Sequence, residues 1–280
     1  MDDRTARRLT MAKVPVTILT GFLGSGKTTL LKHVLENKEG LKIGMIVNDV
    51  AEINIDAALV AVRGGGSAAA GDTVELQNGC ACCSSAEELI QSVEKLMALA
   101  ETRGVPWDHV VVEASGVAEP REIRDNFLNV ATSQPELLAG ARLHTMVTVV
   151  DASTFLAEFE KRNKVEQRPD LGTDDYTDNN RQVVDLMCEQ VECADVLVVN
   201  KTDLSASARQ LELLRETLGS LNPAAKVLTS VRGDVSLASV LAAAPADGVA
   251  SLDGEGELRE VAIDEDGLRC SVQQPGEPAP

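Results

Sequence analysis

The sequence predicts an α/β protein in which a doubly wound, mostly parallel sheet carries helices on both faces. Three observations support this fold class. Continuous apolar, β-rich runs recur along the chain, as expected for strands that are buried on both faces of a parallel sheet. Helical patterns separate these runs, which is the order that βαβ units require. A glycine-rich segment, "GFLGSGKT" at 21–28, joins the first run to the first helix.

The elements are predicted in the following order. The first strand is "VPVTILT" (14–20), and the helix after the glycine-rich segment contains "LLKHVLENKEG" and ends at a glycine. Further strands are predicted at 42–49, 73–77, 109–115, 145–152, 194–200 and 225–230, and further helices at 85–104 and 207–222.

One folded domain accounts for most of the 280 residues. It is predicted to span 13–244, after a short arm at 1–12. Two stretches inside it are expected to be flexible surface loops: the glycine- and alanine-rich 63–72 and the polar 157–182. An acidic tail rich in Gly and Pro is predicted at 245–280.

The composition excludes some classes of partner. A net charge of −18 repels the phosphates of nucleic acids and the surfaces of anionic membranes. No apolar run reaches the roughly 20 residues that a membrane-spanning helix needs. The start, "MDDRTARRLTMAKVP", lacks the apolar region of a secretory signal. We therefore expect a cytoplasmic protein with no nucleic acid or membrane partner.

The glycine-rich segment fits the phosphate-binding pattern G-x4-G-K-T. Its glycines let backbone N–H groups surround a β-phosphate, and the following helix adds its positive N-terminus. The lysine of this pattern reaches the β- and γ-phosphates, and the threonine hydroxyl binds Mg²⁺. The predicted nucleotide-binding residues of this segment are Gly21, Gly24, Ser25, Gly26, Lys27, Thr28 and Thr29.

Acidic residues at strand ends extend this site. Glu113 ends the buried run "HVVVE", where it can hold Mg²⁺ together with Thr28, and the N–H of Gly116 can contact a γ-phosphate. Asp49 follows the second strand and is predicted to lie near Mg²⁺ or the attacking water. Catalytic roles are thus predicted for Lys27, Thr28, Asp49 and Glu113.

A third element, "VVNKTDL", follows the strand at 194–200 and predicts a guanine site. The Asp203 carboxylate can accept hydrogen bonds from guanine N1 and N2, a donor pair that adenine lacks. Asn200 and Lys201 complete the element, and the stem of the lysine can lie over the base. An ATP-using enzyme with a phosphate loop is the alternative.

Three of the six cysteines lie within four positions, at Cys80, Cys82 and Cys83. Thiolates suit zinc and other soft or borderline metals, and three sulfurs leave a fourth position open, as a transfer site needs. Glu52 is a candidate fourth ligand, with a solvated loop charge as its alternative. A redox thiol cluster or a small buried turn also accounts for the cysteines. Metal chemistry and redox chemistry both fit a reducing compartment.

Together these segments resemble the CobW/HypB/UreG family of P-loop GTPases, which are SIMIBI-type GTPases, and within it the CobW-like branch linked to zinc limitation. The resemblance rests on "VPVTILTGFLGSGKTTLL", "NDVAEINID", "VELQNGCACC", "VVVEASGVAEP" and "VECADVLVVNKTDL". It implies GTP binding and slow hydrolysis, coupled to transfer of a transition metal to a client metalloprotein. It implies zinc, or cobalt as in other members, and it assigns the metal to Cys80, Cys82 and Cys83.

The resemblance has one departure. Family members usually carry a smaller C-terminal domain after a histidine-rich stretch, whereas all 3 histidines here precede residue 150 and the sequence after "VRGDV" is a polar tail. A member without that domain is expected, and a homodimer is compatible with the sequence. A non-catalytic, GTP-gated metal sensor or buffer that acts by binding a partner is the alternative function.

Overall fold

The computed structural model describes residues 13–36, 41–47, 86–161, 163–168, 171, 180–205 and 207–241, together with the backbone of 261–263 and 270–272. Several predictions fall outside the described residues. These are the arm at 1–12, the strand at 73–77, the loop at 63–72, and the candidate ligands Asp49, Glu52, Cys80, Cys82 and Cys83.

Six parallel strands form the main sheet, in the order β2-β3-β1-β4-β5-β6. The strands are β1 (Val14–Thr20), β2 (Ile43–Ile46), β3 (His109–Glu113), β4 (Ala141–Asp151), β5 (Val196–Asn200) and β6 (Lys226–Thr229). Two short strands, β7 (Val261–Ile263) and β8 (Cys270–Val272), pair antiparallel in the region predicted as a tail.

Helices cover both faces of this sheet. They are α1 (Lys27–Leu35), α2 (Ala86–Arg103), α3 (Pro120–Ser133), α4 (Phe155–Phe159), α5 (Val183–Glu192), α6 (Ala208–Leu221) and α7 (Leu237–Leu241). The predicted fold class is confirmed. Among the described residues, none of the helices combines the length and the apolar character needed to cross a bilayer.

Alternation along the strands divides the core between the two faces. Val16 and Ile18 of β1 pack in the cluster that includes α2 and α3, whereas Leu19 packs in the cluster that includes α1 and α7. The α5 and α6 helices cover β5 through a third cluster that contains Val199. Because all six strands are parallel, their carboxyl ends meet at one edge of the sheet, where ligands bind in open α/β folds.

The structure contains elements that were not predicted, namely helices α3, α4 and α7 and strands β7 and β8, and it differs in detail elsewhere. Helix α3 has no predicted counterpart, because it buries only Pro120, Ile123 and Phe127 and its other positions are mostly polar. Strand β4 begins earlier than predicted and contains a bulge that leaves His144 out of register. Within the predicted loop at 157–182, the described residues include a 3-10 turn at Val165–Gln167 whose first residue is buried.

Near the amino ends of the strands, His109 is buried against Thr17. The Thr17 hydroxyl and His109 Nε2 are hydrogen-bonded at 2.8 Å, and the His144 ring packs edge-on at 5.9 Å. Burial, then the nearby His144 and Arg142, lower the pKa of His109 to about 4. The unfolded chain therefore binds a proton near pH 6.5 that the folded protein does not bind until about pH 4, so His109 makes stability fall as pH falls through this window.

We expect the variant His109→Gln to lose this pH dependence, since glutamine can keep a hydrogen bond to Thr17 without titrating. At pH 5 the wild-type histidine costs about 2 kcal/mol relative to pH 7. Between pH 7 and pH 5, the free energy of unfolding of the variant relative to that of the wild type should therefore rise by about 2 kcal/mol. Denaturant titrations at several pH values measure this shift, and parallel curves would contradict the assignment. Burial raises the pKa of Asp195 to about 6, which has the opposite effect on the pH dependence of stability. Asp195 is present in both proteins, so its contribution cancels when the variant is compared with the wild type.

Candidate functional site

The loop between β1 and α1, residues 21–28, is here called the phosphate loop. Gly21, Gly24 and Gly26 have φ angles of 133°, 72° and 104°, in the left-handed region that favours glycine. A Cβ atom at Gly21 would lie 2.3 Å from the Val149 carbonyl oxygen, and one at Gly26 would lie 2.3 Å from Asn200 Nδ2. The glycines of the motif are therefore required by the backbone conformation and by the close packing of β4 and β5.

Lys27 lies along the phosphate loop itself. Its ammonium group donates hydrogen bonds to the Gly21 carbonyl at 2.7 Å and the Phe22 carbonyl at 3.3 Å. Ser25 is buried, and within the described residues its hydroxyl has no hydrogen-bond partner. A buried hydroxyl without a partner is costly, and a ligand with oxygen acceptors would satisfy it. These features fit an anionic phosphate ligand.

The predicted Mg²⁺ ligands come together from two elements. The Thr28 hydroxyl, in the first turn of α1, donates to Glu113 Oε1 at the end of β3 at 3.2 Å. Glu113 is buried, although it carries a carboxylate group. A hydroxyl and a carboxylate side by side beside a phosphate loop are the oxygen donors that Mg²⁺ prefers.

Gly116 lies in the β3–α3 loop, residues 114–119, against the phosphate loop. A Cβ atom at Gly116 would be 3.0 Å from the backbone nitrogen of Leu23 and 3.1 Å from its Cα. The structure thus brings Gly116 and the phosphate loop into direct backbone proximity, although the two are about 90 residues apart in the chain.

Asn200 at the end of β5 links the phosphate loop to a second turn. Its Nδ2 donates to the Ser25 carbonyl at 3.1 Å, and its Oδ1 accepts the Gly233 N–H at 3.1 Å. Gly233 itself packs against the backbone of Leu30 in α1. The amide of Asn200 therefore connects three segments of backbone around the predicted nucleotide site.

Lys201 follows in a left-handed conformation, with φ 59°. Its ammonium group donates to the Gly24 carbonyl and to Asp151 Oδ2, each at 2.6 Å. Burial alone would raise the pKa of Asp151, but hydrogen bonds from Lys201 and Ser153 outweigh burial and lower it, so this group is a carboxylate at neutral pH. Asp203 stands in an exposed 3-10 turn two residues further along.

Comparison with known protein families identifies the family of this domain. Residues 15–229 match the nucleotide-binding domain of the CobW/HypB/UreG family. The chain belongs to this family. The resemblance found in the sequence is thereby confirmed.

Individual relatives agree with the family assignment. The chain is 36% identical over 237 residues to the zinc-regulated GTPase metalloprotein activator 1 of Dictyostelium discoideum, and 34% identical over 240 residues to the zinc chaperone CobW of Pseudomonas aeruginosa. These matches cover 82% and 83% of this chain but 48% and 60% of the relatives, so the chain spans about half to two thirds of their length.

A solved structure supports the fold. The Zn(II)-bound YjiA GTPase from E. coli has a TM-score of 0.53 and 25% identity to this chain, and the match covers 85% of this chain and 63% of YjiA. The fold of the CobW/HypB/UreG domain described here is therefore that of a P-loop GTPase.

The metal ligands predicted for this CobW/HypB/UreG domain stay predictions, because the three cysteines and Glu52 lie outside the described residues. Across the described ranges, the structure contains no group of three or more His, Cys, Asp or Glu side chains that could hold a metal ion. Cys188 and Cys193, which are described, form no disulfide and lie on α5 and just after it.

Sequence reasoning missed two residues next to this site. Asp151 ends the buried strand β4 just as Glu113 ends β3, so the same strand-end argument could have found it. Gln190 of α5 is buried and donates to the Gly116 carbonyl at 3.1 Å. A polar side chain near the end of a helix gives no local signal of such a long-range contact.

Proposed function

We propose that this chain binds and hydrolyses GTP and uses the nucleotide cycle to control transfer of zinc to a client metalloprotein. One observation carries the nucleotide part: Lys27, the Thr28–Glu113 pair and the Asn200–Lys201 element meet at the carboxyl edge of one parallel sheet. The names of the relatives, which include zinc chaperones and a zinc-regulated GTPase, support the metal part.

The residues of the phosphate loop would hold the triphosphate. Lys27 would turn from the loop carbonyls to the β- and γ-phosphates, while Gly24, Ser25, Gly26 and Thr29 surround them. Thr28 and Glu113 would hold Mg²⁺, which would supply positive charge to neutralise the phosphates. Gly116 would meet the γ-phosphate.

Asp49, which follows β2 in the chain, would orient the attacking water. Its sequence position after a strand of the same sheet supports this role. Slow intrinsic turnover is expected, as the family resemblance implies.

The guanine base would be read by Asp203, with the stem of Lys201 against its face. We expect Asp203→Asn to weaken GTP binding by about a hundredfold and to favour xanthosine triphosphate, because the amide reverses the hydrogen-bond pattern that guanine N1 and N2 require. Competition binding with GTP, xanthosine triphosphate and ATP measures this change. An unaltered nucleotide preference would favour the ATP-using alternative.

The metal cargo would be held by Cys80, Cys82 and Cys83, with Glu52 as fourth ligand and zinc preferred over cobalt. The γ-phosphate would order the segment 49–52, and its loss on hydrolysis would release that segment and change the metal site. A cluster of thiols supports a reducing compartment, and we propose the cytoplasm. Client binding and a homodimer are both compatible with this cycle.

Single-turnover hydrolysis tests the proposal against the non-catalytic sensor. Release of phosphate at a rate that changes when zinc is added supports a GTPase that couples hydrolysis to metal transfer. Tight GTP binding with no phosphate release over hours supports a sensor or buffer that acts only through partner binding.

A further inference from the structure

Gln190 lies between the β3–α3 loop and the sheet, on the buried side of α5. Its Nε2 donates to the Gly116 carbonyl at 3.1 Å and to the Ala118 carbonyl at 3.4 Å. The residue is 2% exposed, so these carbonyls replace the water that its amide would otherwise bind. One side chain thus holds two carbonyls of the loop that carries Gly116.

The backbone of the same residue is held from the other side. Thr148 Oγ1 of β4 donates to the Gln190 carbonyl at 2.5 Å. Because that proton is used, the neighbouring Thr20 hydroxyl must donate to Thr148 Oγ1, at 2.8 Å. Thr20 is the last residue of β1, directly before the phosphate loop.

A series of hydrogen bonds, joined through the backbone and side chain of Gln190, therefore links the base of the phosphate loop to the β3–α3 loop. It passes through Thr20, Thr148 and Gln190, each at most 2% exposed, and ends at Gly116. Inside a protein such bonds are strong, and a member left without its partner is costly. These hydrogen bonds thus fix the position of Gly116 relative to the phosphate loop without any contact to a nucleotide.

An ion-pair network holds the same loop from outside. Arg181 contacts Glu119 at 3.0 Å and Glu189 at 2.6 Å. Glu189 in turn accepts the backbone N–H of Arg121 at 3.2 Å. Helix α5 and the residue preceding its N-cap therefore hold the β3–α3 loop at both its inner and outer surfaces.

We propose that Gln190 is a positioning residue for recognition of the γ-phosphate. By fixing the peptide on the carboxyl side of Gly116, it keeps Gly116 against Leu23, where its N–H can meet the terminal phosphate of GTP but finds no group to meet in GDP. This role rests on the proposed function. It predicts that Gln190 sets the preference for GTP over GDP and contributes little to binding of the base or the β-phosphate.

The variant Gln190→Met keeps the volume and the backbone carbonyl but removes both amide hydrogen bonds. We expect the ratio of the GDP dissociation constant to that of a non-hydrolysable GTP analogue to fall about tenfold, and kcat to fall with it. GDP affinity should stay within about twofold, as expected for a contact made only to the γ-phosphate. Thr148→Val, which breaks the series one step earlier, should lower the same ratio less.

Asn222→Ala is the matched control. Asn222 donates to the Val191, Glu192 and Ala194 carbonyls, so its loss loosens the far end of α5 without touching the β3–α3 loop. We expect this variant to lose thermal stability while it keeps the wild-type ratio. An equal fall of the ratio in Asn222→Ala, or an unchanged ratio in both Gln190→Met and Thr148→Val, would overturn the inference.

Nucleotide-binding measurements on the wild-type protein distinguish this inference from the wider proposal. Guanine nucleotide binding with equal affinity for GDP and the GTP analogue would overturn the role of Gln190 and leave the GTP-binding assignment standing. Lack of guanine nucleotide binding in the wild type would overturn both.

Discussion

Lys27→Ala is expected to lower the single-turnover rate of GTP hydrolysis at least about a hundredfold, because the ammonium group is proposed to stabilise charge that develops on the transferring phosphoryl group. GTP affinity should fall as well, since Lys27 is predicted to contact both the β- and γ-phosphates. Rapid-quench measurements with excess enzyme report the chemical step directly.

Lys32→Ala provides the matched control for this substitution. Lys32 lies on the same helix, more than one turn beyond the phosphate loop, and near the helix end. Its replacement removes the same charge and leaves the loop unchanged, so hydrolysis should stay close to that of the wild type. A rate in Lys27→Ala within about threefold of the wild type would contradict the assignment of the phosphate site.

Cys82→Ser is expected to weaken zinc binding about a hundredfold or more, because a serine hydroxyl is a poor ligand for zinc at neutral pH and only two sulfurs remain. In the wild type, zinc affinity should differ at least about fivefold between the GTP-analogue and GDP states, the lower end of typical coupling between two sites. Competition with a chromophoric chelator, in each nucleotide state, measures both effects.

Cys188→Ser is the control for the metal experiment, since Cys188 lies on α5 and is not one of the clustered thiols. It should bind zinc as the wild type does. Wild-type zinc affinity that is equal with GTP analogue, with GDP and without nucleotide would remove the proposed coupling. Unchanged affinity in Cys82→Ser would remove the cysteine cluster as the metal site.

The local parts of this site could be predicted from the sequence, because the chemistry is carried by contiguous residues. The glycines of the phosphate loop, Lys27 and Thr28 lie within eight positions between a strand and a helix. Glu113 could be placed because it directly follows a buried apolar run, and parallel strands bring such ends to one edge.

The supporting contacts could not be predicted, because each joins residues that are far apart in the chain. Gln190 reaches Gly116 across 74 positions, and Asn200 reaches Ser25 across 175. Their side chains are polar and buried, and their partners are backbone carbonyls, which every residue has. The bulge at His144 was also hidden, since alternation along β4 shows no irregularity until its register with β1 is known.

The contacts of the Lys27 ammonium group with its own loop bear on how strongly a phosphate would be held. Two carbonyls of the loop serve as hydrogen-bond acceptors for this group. An incoming triphosphate must displace these acceptors, and part of its attraction is offset by their loss. The net gain from a contact between Lys27 and a phosphate is therefore smaller than the strength of that contact taken alone.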